Sequence, residues 1–427
     1  MSTWTDYDFK FCITAKPVGD RITPIDHNLF THYLPPIPES KESIKQYDSF
    51  IKRLKENRKE PLEINGLLCE VIRSNKNSLF ELLSTKQINL LKKQHIDLEN
   101  IDVNMLINGY PQDPNEFITK KHIIKPNPEI HYTRDPTIHI PLENNLNGVI
   151  IGNMKNLNRK EEPKIMKFIY KYNQRFKDSE IIADFSNTSY NLEGGNIIVF
   201  NKNILLVGIN ERTNESTFYT LLRSLENKNT EINEIAEIFL PKKINFIIHL
   251  DNVLNLIRNK ENNISALIMP YIFNYPEVPK ISNSKKILIN ILKYSEQMCN
   301  KNYGELKKEI MKSGKVMIYK KINKKFRLVK KDDIVNYLKK KGVENFITVG
   351  GNLGVDWQDP YKHALIAIKE QNRCANNILS VKPGIVIIFE GSPYTIKTLR
   401  DNNFQCEIVK NTIKTLGGPH CMAKPVG

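Results

Sequence analysis

From Gly148 onward the chain is punctuated by short, β-branched apolar runs, and their spacing constrains the fold more than any other feature. They are Gly148-Val149-Ile150-Ile151-Gly152, Asn196-Ile197-Ile198-Val199-Phe200, Ile204-Leu205-Leu206-Val207-Gly208, Ile244-Asn245-Phe246-Ile247-Ile248 and Ile385-Val386-Ile387-Ile388-Phe389. Runs of this length rich in Ile and Val read as buried strands. Several are followed by helical spacing, as in Thr217 to Leu225 and Tyr394 to Asn402. Others are joined by a tight turn such as Asn201-Lys202-Asn203. The recurring order strand, strand, helix predicts repeated α/β modules, although no sequence repeat is evident.

The amino-terminal part has a different texture. Lys10-Phe11-Cys12-Ile13-Thr14 reads as a short strand and Ser40 to Leu54 as a helix, with a further strand at Leu62-Glu63-Ile64. From Leu67 to about Gly109 the apolar spacing is continuously helical, so residues 67–112 are expected to form a helical insertion within one catalytic domain spanning 1–427. No apolar stretch approaches the ~18 residues of a membrane span, and the first residues show no signal-peptide pattern. Six scattered cysteines without a CxxC pair argue against a zinc site or a disulfide framework and suit a reducing cytosol, so the expected location is cytoplasmic. The net charge of +16 raises a nucleic-acid ligand. The basic residues are spread out, densest from Lys320 to Lys331, and no nucleic-acid-binding motif accompanies them. A solvated lysine-rich surface is the preferred reading. Neither a GxGxxG nor a Walker loop is present, since Gly350-Gly351-Asn352-Leu353-Gly354 lacks the P-loop lysine.

Chemistry enters with Gly417-Gly418-Pro419-His420-Cys421-Met422, where two glycines and a proline shape a loop that presents one thiol. Upstream lie Tyr132-Thr133-Arg134-Asp135-Pro136, Leu192-Glu193-Gly194-Gly195-Asn196 and His249-Leu250-Asp251. Singly, each is ordinary: an aspartate in such a turn is most often a turn former, and a histidine after an apolar run is most often a core residue. Together, Asp135, Glu193, Asp251, His249 and Cys421 supply three carboxylates, an imidazole and a thiol. Carboxylates suppress thiolate formation unless the substrate is itself a cation. A guanidinium fits, being planar, permanently charged and best held by carboxylates.

These segments resemble the arginine deiminases, of the guanidino-modifying pentein superfamily, over nearly the whole chain. The resemblance runs through Ile22-Thr23-Pro24, Leu34-Pro35-Pro36-Ile37-Pro38, Tyr47-Asp48-Ser49-Phe50, Leu83-Ser84 to Gly109, Glu193-Gly194-Gly195-Asn196, Asn210-Glu211-Arg212-Thr213-Asn214, Glu370-Gln371 to Asn377, Lys382-Pro383-Gly384 and the cysteine loop, in order. It implies a five-fold pseudosymmetric α/β propeller with the site on its axis. It also implies attack by Cys421 on the guanidinium carbon, with Asp135 and Asp251 holding the guanidinium nitrogens. Glu193 would orient and charge His249, which would protonate the leaving amine and then activate water. It implies no metal or organic cofactor. Members are often homo-oligomers, but no interface is legible in these residues.

The part that would receive the substrate's α-carboxylate departs from the family. Glu129 stands where an asparagine is usual, Leu416 where an arginine is usual, and Asn196 where an aspartate is usual. Arg212 is retained, a further arginine aligns with either Arg159 or Lys160, and His420 matches some members where others carry arginine. The expected activity is conversion of a guanidino substrate, foremost L-arginine to L-citrulline, with ammonia released. The alternatives are another guanidine such as a modified arginine or agmatine, amidino transfer to an amine, or a non-catalytic paralogue that binds acidic partners.

Overall fold

The computed structural model describes residues 9–17, 40–75, 78–98, 101–113, 121–143, 146–242, 244, 246–273, 284–293, 303–410 and 417–426. Ile22-Thr23-Pro24, Leu34-Pro35-Pro36-Ile37-Pro38 and Leu416 lie outside these residues.

Five modules share one topology: two antiparallel strands, then a third strand running parallel to the second. In chain order the blades are Thr137–Pro141, Asn147–Ile151 and Ser179–Asp184; Ile197–Asn201, Ile204–Ile209 and Glu234–Phe239; Leu254–Arg258, Ile264–Ile268 and Val343–Thr348; and Leu379–Lys382, Ile385–Phe389 and Gln405–Val409. The fifth closes the circle from both ends of the chain, with Lys424–Val426 antiparallel to Phe11–Thr14, itself parallel to Glu60–Glu63. The parallel step needs a crossover. Helices provide it in Glu162–Tyr172, Glu215–Glu226, Pro393–Asp401 and Ser40–Glu56. The chain is thus a five-fold pseudosymmetric α/β propeller.

A central strand such as Ile204–Ile209 is buried along its whole length and therefore reads as an unbroken apolar run. Leu205, Leu206 and Val207 are fully buried, each contributing about 1.5–3 kcal/mol of transfer free energy. Capping sets the helix starts: the Asn214 side chain accepts from Thr217 N at 2.9 Å, and Asp359 accepts from Tyr361 N at 2.8 Å ahead of Pro360–Gln371. Between the fifth and first blades, four helices (Ile64–Ser74, Leu79–Leu82, Thr85–Lys93 and Val103–Asn108) occupy the segment that the spacing presents as one continuous pattern.

One local expectation needs correcting. Residues 244–248 form no named strand among those described. Ile244, Phe246 and Ile247 are instead buried beneath the turn that leads to His249. The strand of this blade is Glu234–Phe239, whose apolar run is broken by two buried glutamates. Glu234 accepts from the Tyr337 hydroxyl at 2.7 Å and from Lys341 Nζ at 2.9 Å, and Glu237 accepts from the Tyr319 hydroxyl at 3.1 Å. The dense basic stretch is a hairpin, Lys315–Ile322 with Lys325–Asp333, inserted in the third blade and paired antiparallel onto Glu234–Phe239 of the second.

His363 is a core histidine held by two bonds. Its Nε2–H donates to the Gly351 carbonyl at 3.0 Å, and Nδ1 lies 2.8 Å from the Tyr271 hydroxyl, which itself donates to the Pro360 carbonyl at 2.9 Å. Burial pushes its pKa down to about 4. A depressed folded pKa gives stability that is complete above the unfolded value near 6.5 and is lost as pH falls toward 4. The acid limb of thermal or denaturant stability over that window should therefore be steeper in the wild type than in His363→Gln, by up to about 1.4 kcal/mol per pH unit. Parallel limbs would show that His363 titrates normally.

Candidate active site

Each blade carries a candidate site residue in the segment just before its first strand. Asp135 precedes Thr137, Glu193 precedes Ile197, His249 and Asp251 precede Leu254, Asn377 precedes Leu379, and Cys421 precedes Lys424. Hydrogen bonds close these five segments into a ring. Gly194 N donates to Asp135 O at 2.8 Å, and Leu250 N donates to Asn196 Oδ1 at 3.0 Å. Asn376 Nδ2 donates to Asp251 O at 3.3 Å. Asn377 Oδ1 accepts from Cys421 N at 3.0 Å, and Arg134 N donates to Cys421 O at 3.1 Å. Pseudosymmetry therefore gathers residues up to nearly three hundred positions apart on one axis.

On that axis Cys421 Sγ lies 3.5 Å from Asp251 Oδ2, which also accepts from His420 Nδ1 at 2.8 Å. Asp251 Oδ1 is buried and has no hydrogen-bond partner among the described residues. Burial, then the charges of Asp251 and Asp135, push the Cys421 thiol well above its ordinary value, so the free protein holds a neutral thiol. His249 Nε2 donates to Glu193 Oε2 at 2.7 Å, and Nδ1 lies 3.6 Å from Asp135 Oδ1. Burial alone would lower this imidazole. Asp135, and then Glu193 and Asp251, outweigh burial and raise its pKa, which favours the imidazolium. Burial likewise works against ionised Glu193, but Arg212 and His249 hold it well below the usual carboxylate range.

Gly195 fits this cluster because it has no side chain. A Cβ there would stand 2.5 Å from His249 Nδ1 and 3.0 Å from Asp135 Oδ1. Gly195→Ala should therefore displace the imidazole and lower kcat on the order of 10²-fold, the cost of a misplacement of about 1 Å. Steady-state kinetics on the folded variant check this, and a wild-type kcat would mean that His249 plays no part in turnover.

The other predicted residues take definite places. Arg159 is buried and donates from Nε and Nη2 to Glu162 at 2.8–3.1 Å, and from Nη1 to Asp135 Oδ2 at 2.8 Å. Glu129 reaches it at 3.5 Å. Arg212 Nη1 lies 3.3 Å from both oxygens of Glu193. Lys160 Nζ donates to Asn153 Oδ1 at 2.7 Å. Asn196 braces the His249 turn, its Nδ2 donating to Asn210 Oδ1 and Thr213 Oγ1 at 3.0 and 3.2 Å. Sequence reasoning assigned no part to Asn376 and Asn377. Their signal was positional, since they fill the same place before a blade's first strand that the other site residues fill.

Asp135, Glu193 and His249 offer ligand atoms within 4.8 Å of one another, as a metal site would. Two of them already carry arginines, at 2.8 Å on Asp135 and 3.3 Å on Glu193. A divalent ion there would face two guanidinium groups, so the donor set suits an acid–base pair better than a metal.

A thiol and an imidazole among carboxylates at the hub of a five-bladed α/β propeller define a guanidino-modifying enzyme of the pentein class. A family model described as "Arginine deiminase" matches residues 77–427. The chain is 25% identical to arginine deiminase of Listeria welshimeri over 415 residues, covering 91% of this chain and 89% of the relative. It is also 25% identical to arginine deiminase of Borreliella burgdorferi, covering 91% and 87%, and to arginine deiminase 1 of Staphylococcus epidermidis, covering 79% and 68%. The chain belongs to the arginine deiminase family and is a hydrolase of amidine C–N bonds. Among solved structures, the amino-terminal domain of the cyanobacterial arginine dihydrolase ArgZ aligns over 98% of this chain and 97% of that one, at 11% identity and a TM-score of 0.49.

Proposed function

We propose that this protein hydrolyses L-arginine to L-citrulline and ammonia through a covalent intermediate on Cys421. The observation that carries the reading is the buried Asp251 Oδ1, which has no hydrogen-bond partner among the described residues and belongs to the carboxylate beside the thiol. An orphaned carboxylate oxygen in a closed site is costly until a cation occupies it. A guanidinium that binds Asp251 and Asp135 supplies the missing donors, and its positive charge favours the thiolate.

When the guanidinium binds, the Cys421 thiol releases its proton to solvent, and the thiolate attacks the guanidinium carbon, forming the S–C bond. The C–NH2 bond then breaks, with His249 protonating the departing ammonia, and a thiouronium remains on Cys421. His249, now neutral, takes a proton from water. The hydroxide adds to the same carbon, the S–C bond breaks, and the ureido product leaves with the thiol restored.

A second reading, a guanidine without the α-carboxylate, is favoured by one feature. Arg159 and Arg212, the two arginines that the family resemblance offers to a carboxylate, are already paired with site carboxylates, and Glu129 stands 3.5 Å from Arg159. An incoming carboxylate near Glu129 is repelled unless a cation intervenes. Assaying ureido product and ammonia against a guanidine panel tests both readings. L-arginine should give equal amounts of each. A higher kcat/KM for agmatine would select the second reading, and no ureido product from any guanidine would contradict hydrolysis.

A further inference from the structure

The fourth blade is the one to which the reaction above assigns no side chain. In the other blades, the segment before the first strand carries Asp135, Glu193, His249 with Asp251, or Cys421. In the fourth it carries Asn376-Asn377, both fully buried.

Asn377 grips the cysteine loop at three points. Its carbonyl accepts from His420 N at 3.2 Å, and its Oδ1 accepts from Gly418 N at 2.9 Å and from Cys421 N at 3.0 Å. The fit is close, since a Cβ on Gly418 would stand 2.6 Å from the Asn377 carbonyl oxygen. Because both partners of Oδ1 are N–H donors, the amide has only one orientation. The Nδ2 group is then left buried without a hydrogen-bond partner among the described residues. A buried amide donor without an acceptor is unfavourable. The neighbouring group whose accepting power changes most during the reaction is the Cys421 sulfur, a weak acceptor as a thiol and a strong one as a thiolate.

We infer that Asn377 is a positioning residue for the nucleophile, fixing the Cys421 loop through Oδ1 and donating Nδ2–H to the sulfur once the thiolate forms. This rests on the reading of Cys421 as nucleophile. In keeping with it, the Asn377 amide pulls the thiol down, against the upward push of burial, Asp251 and Asp135.

The test uses 2-chloroacetamidine, whose planar amidinium suits the carboxylates and whose CH2–Cl carbon is attacked by the thiolate. The S–C bond forms, chloride leaves, and the thiol proton goes to solvent. Inactivation rate against pH is measured for the wild type, Asn377→Ala and Asn377→Ser. The serine hydroxyl is one bond shorter than Oδ1 and Nδ2, so it keeps a polar group while losing the reach to both the loop amides and the sulfur, and neither change alters charge. Both variants should inactivate at least tenfold more slowly at neutral pH, with the profile displaced upward by about one unit. A folded variant with the wild-type profile overturns the inference and leaves Asn377 a loop brace. Cys421→Ser serves as the separate control. Turnover in that variant would remove the covalent reading itself, whatever Asn377 does.

Discussion

Cys421→Ser is expected to keep the fold and lose turnover on the order of 10⁴-fold or more, as when the nucleophile of a covalent enzyme is removed. The fold should persist because the change is nearly isosteric and the hydroxyl inherits Asp251 Oδ2 as acceptor. The rate should collapse because a hydroxyl is hard to ionise and this site gives it no dedicated base. His249 is held as the imidazolium when substrate arrives, so it has no lone pair free to take the hydroxyl proton. A substrate cation can favour a thiolate, but it cannot bring a serine hydroxyl within reach of neutral pH. Circular dichroism and a citrulline assay check the two halves. Near-normal activity in correctly folded protein would exclude Cys421 as the nucleophile.

His249→Ala should lower kcat by about 10²–10⁴-fold, the usual contribution of a general acid–base group. The loss should appear in both single-turnover and steady-state rates, since the same imidazole protonates the leaving ammonia and later activates water. Glu193 remains paired with Arg212 in this variant, so a folded protein is expected. Unchanged rates would make His249 a core residue. Glu193→Gln provides the pH readout. Glu193 helps raise the imidazole pKa, so its loss should move the basic limb of kcat/KM to lower pH.

Much of this was legible in the residues because the determinants are local. Strands buried on both faces, such as Ile204–Ile209, advertise themselves as apolar runs, and the shaped loop before Cys421 stands out by its glycines and proline. Glu234–Phe239 was hidden because Glu234 and Glu237 break the pattern, and their partners Tyr337, Lys341 and Tyr319 lie about a hundred positions away. Residues 244–248 gave the opposite error, since apolar residues under a turn look the same in sequence as a strand. The grafted hairpin read only as positive charge, because pairing onto another blade leaves no local mark. Asn377 carries no mark of its own in the sequence. An asparagine is ordinary in any loop, and its place becomes informative only when five blade starts are laid on one axis. The pairing of Arg159 with Asp135, Glu162 and Glu129 is likewise a tertiary fact, and it bears directly on where a substrate carboxylate can go.

The covalent intermediate is the central claim, and rapid-quench mass spectrometry of a turning-over sample tests it most directly. The peptide carrying Cys421 should gain the mass of L-arginine less one ammonia, transiently in the wild type. A gain of only the bare amidino group would mean that the amine end leaves first, as in amidino transfer. Full turnover with the Cys421 peptide unmodified at every quench time would contradict the account.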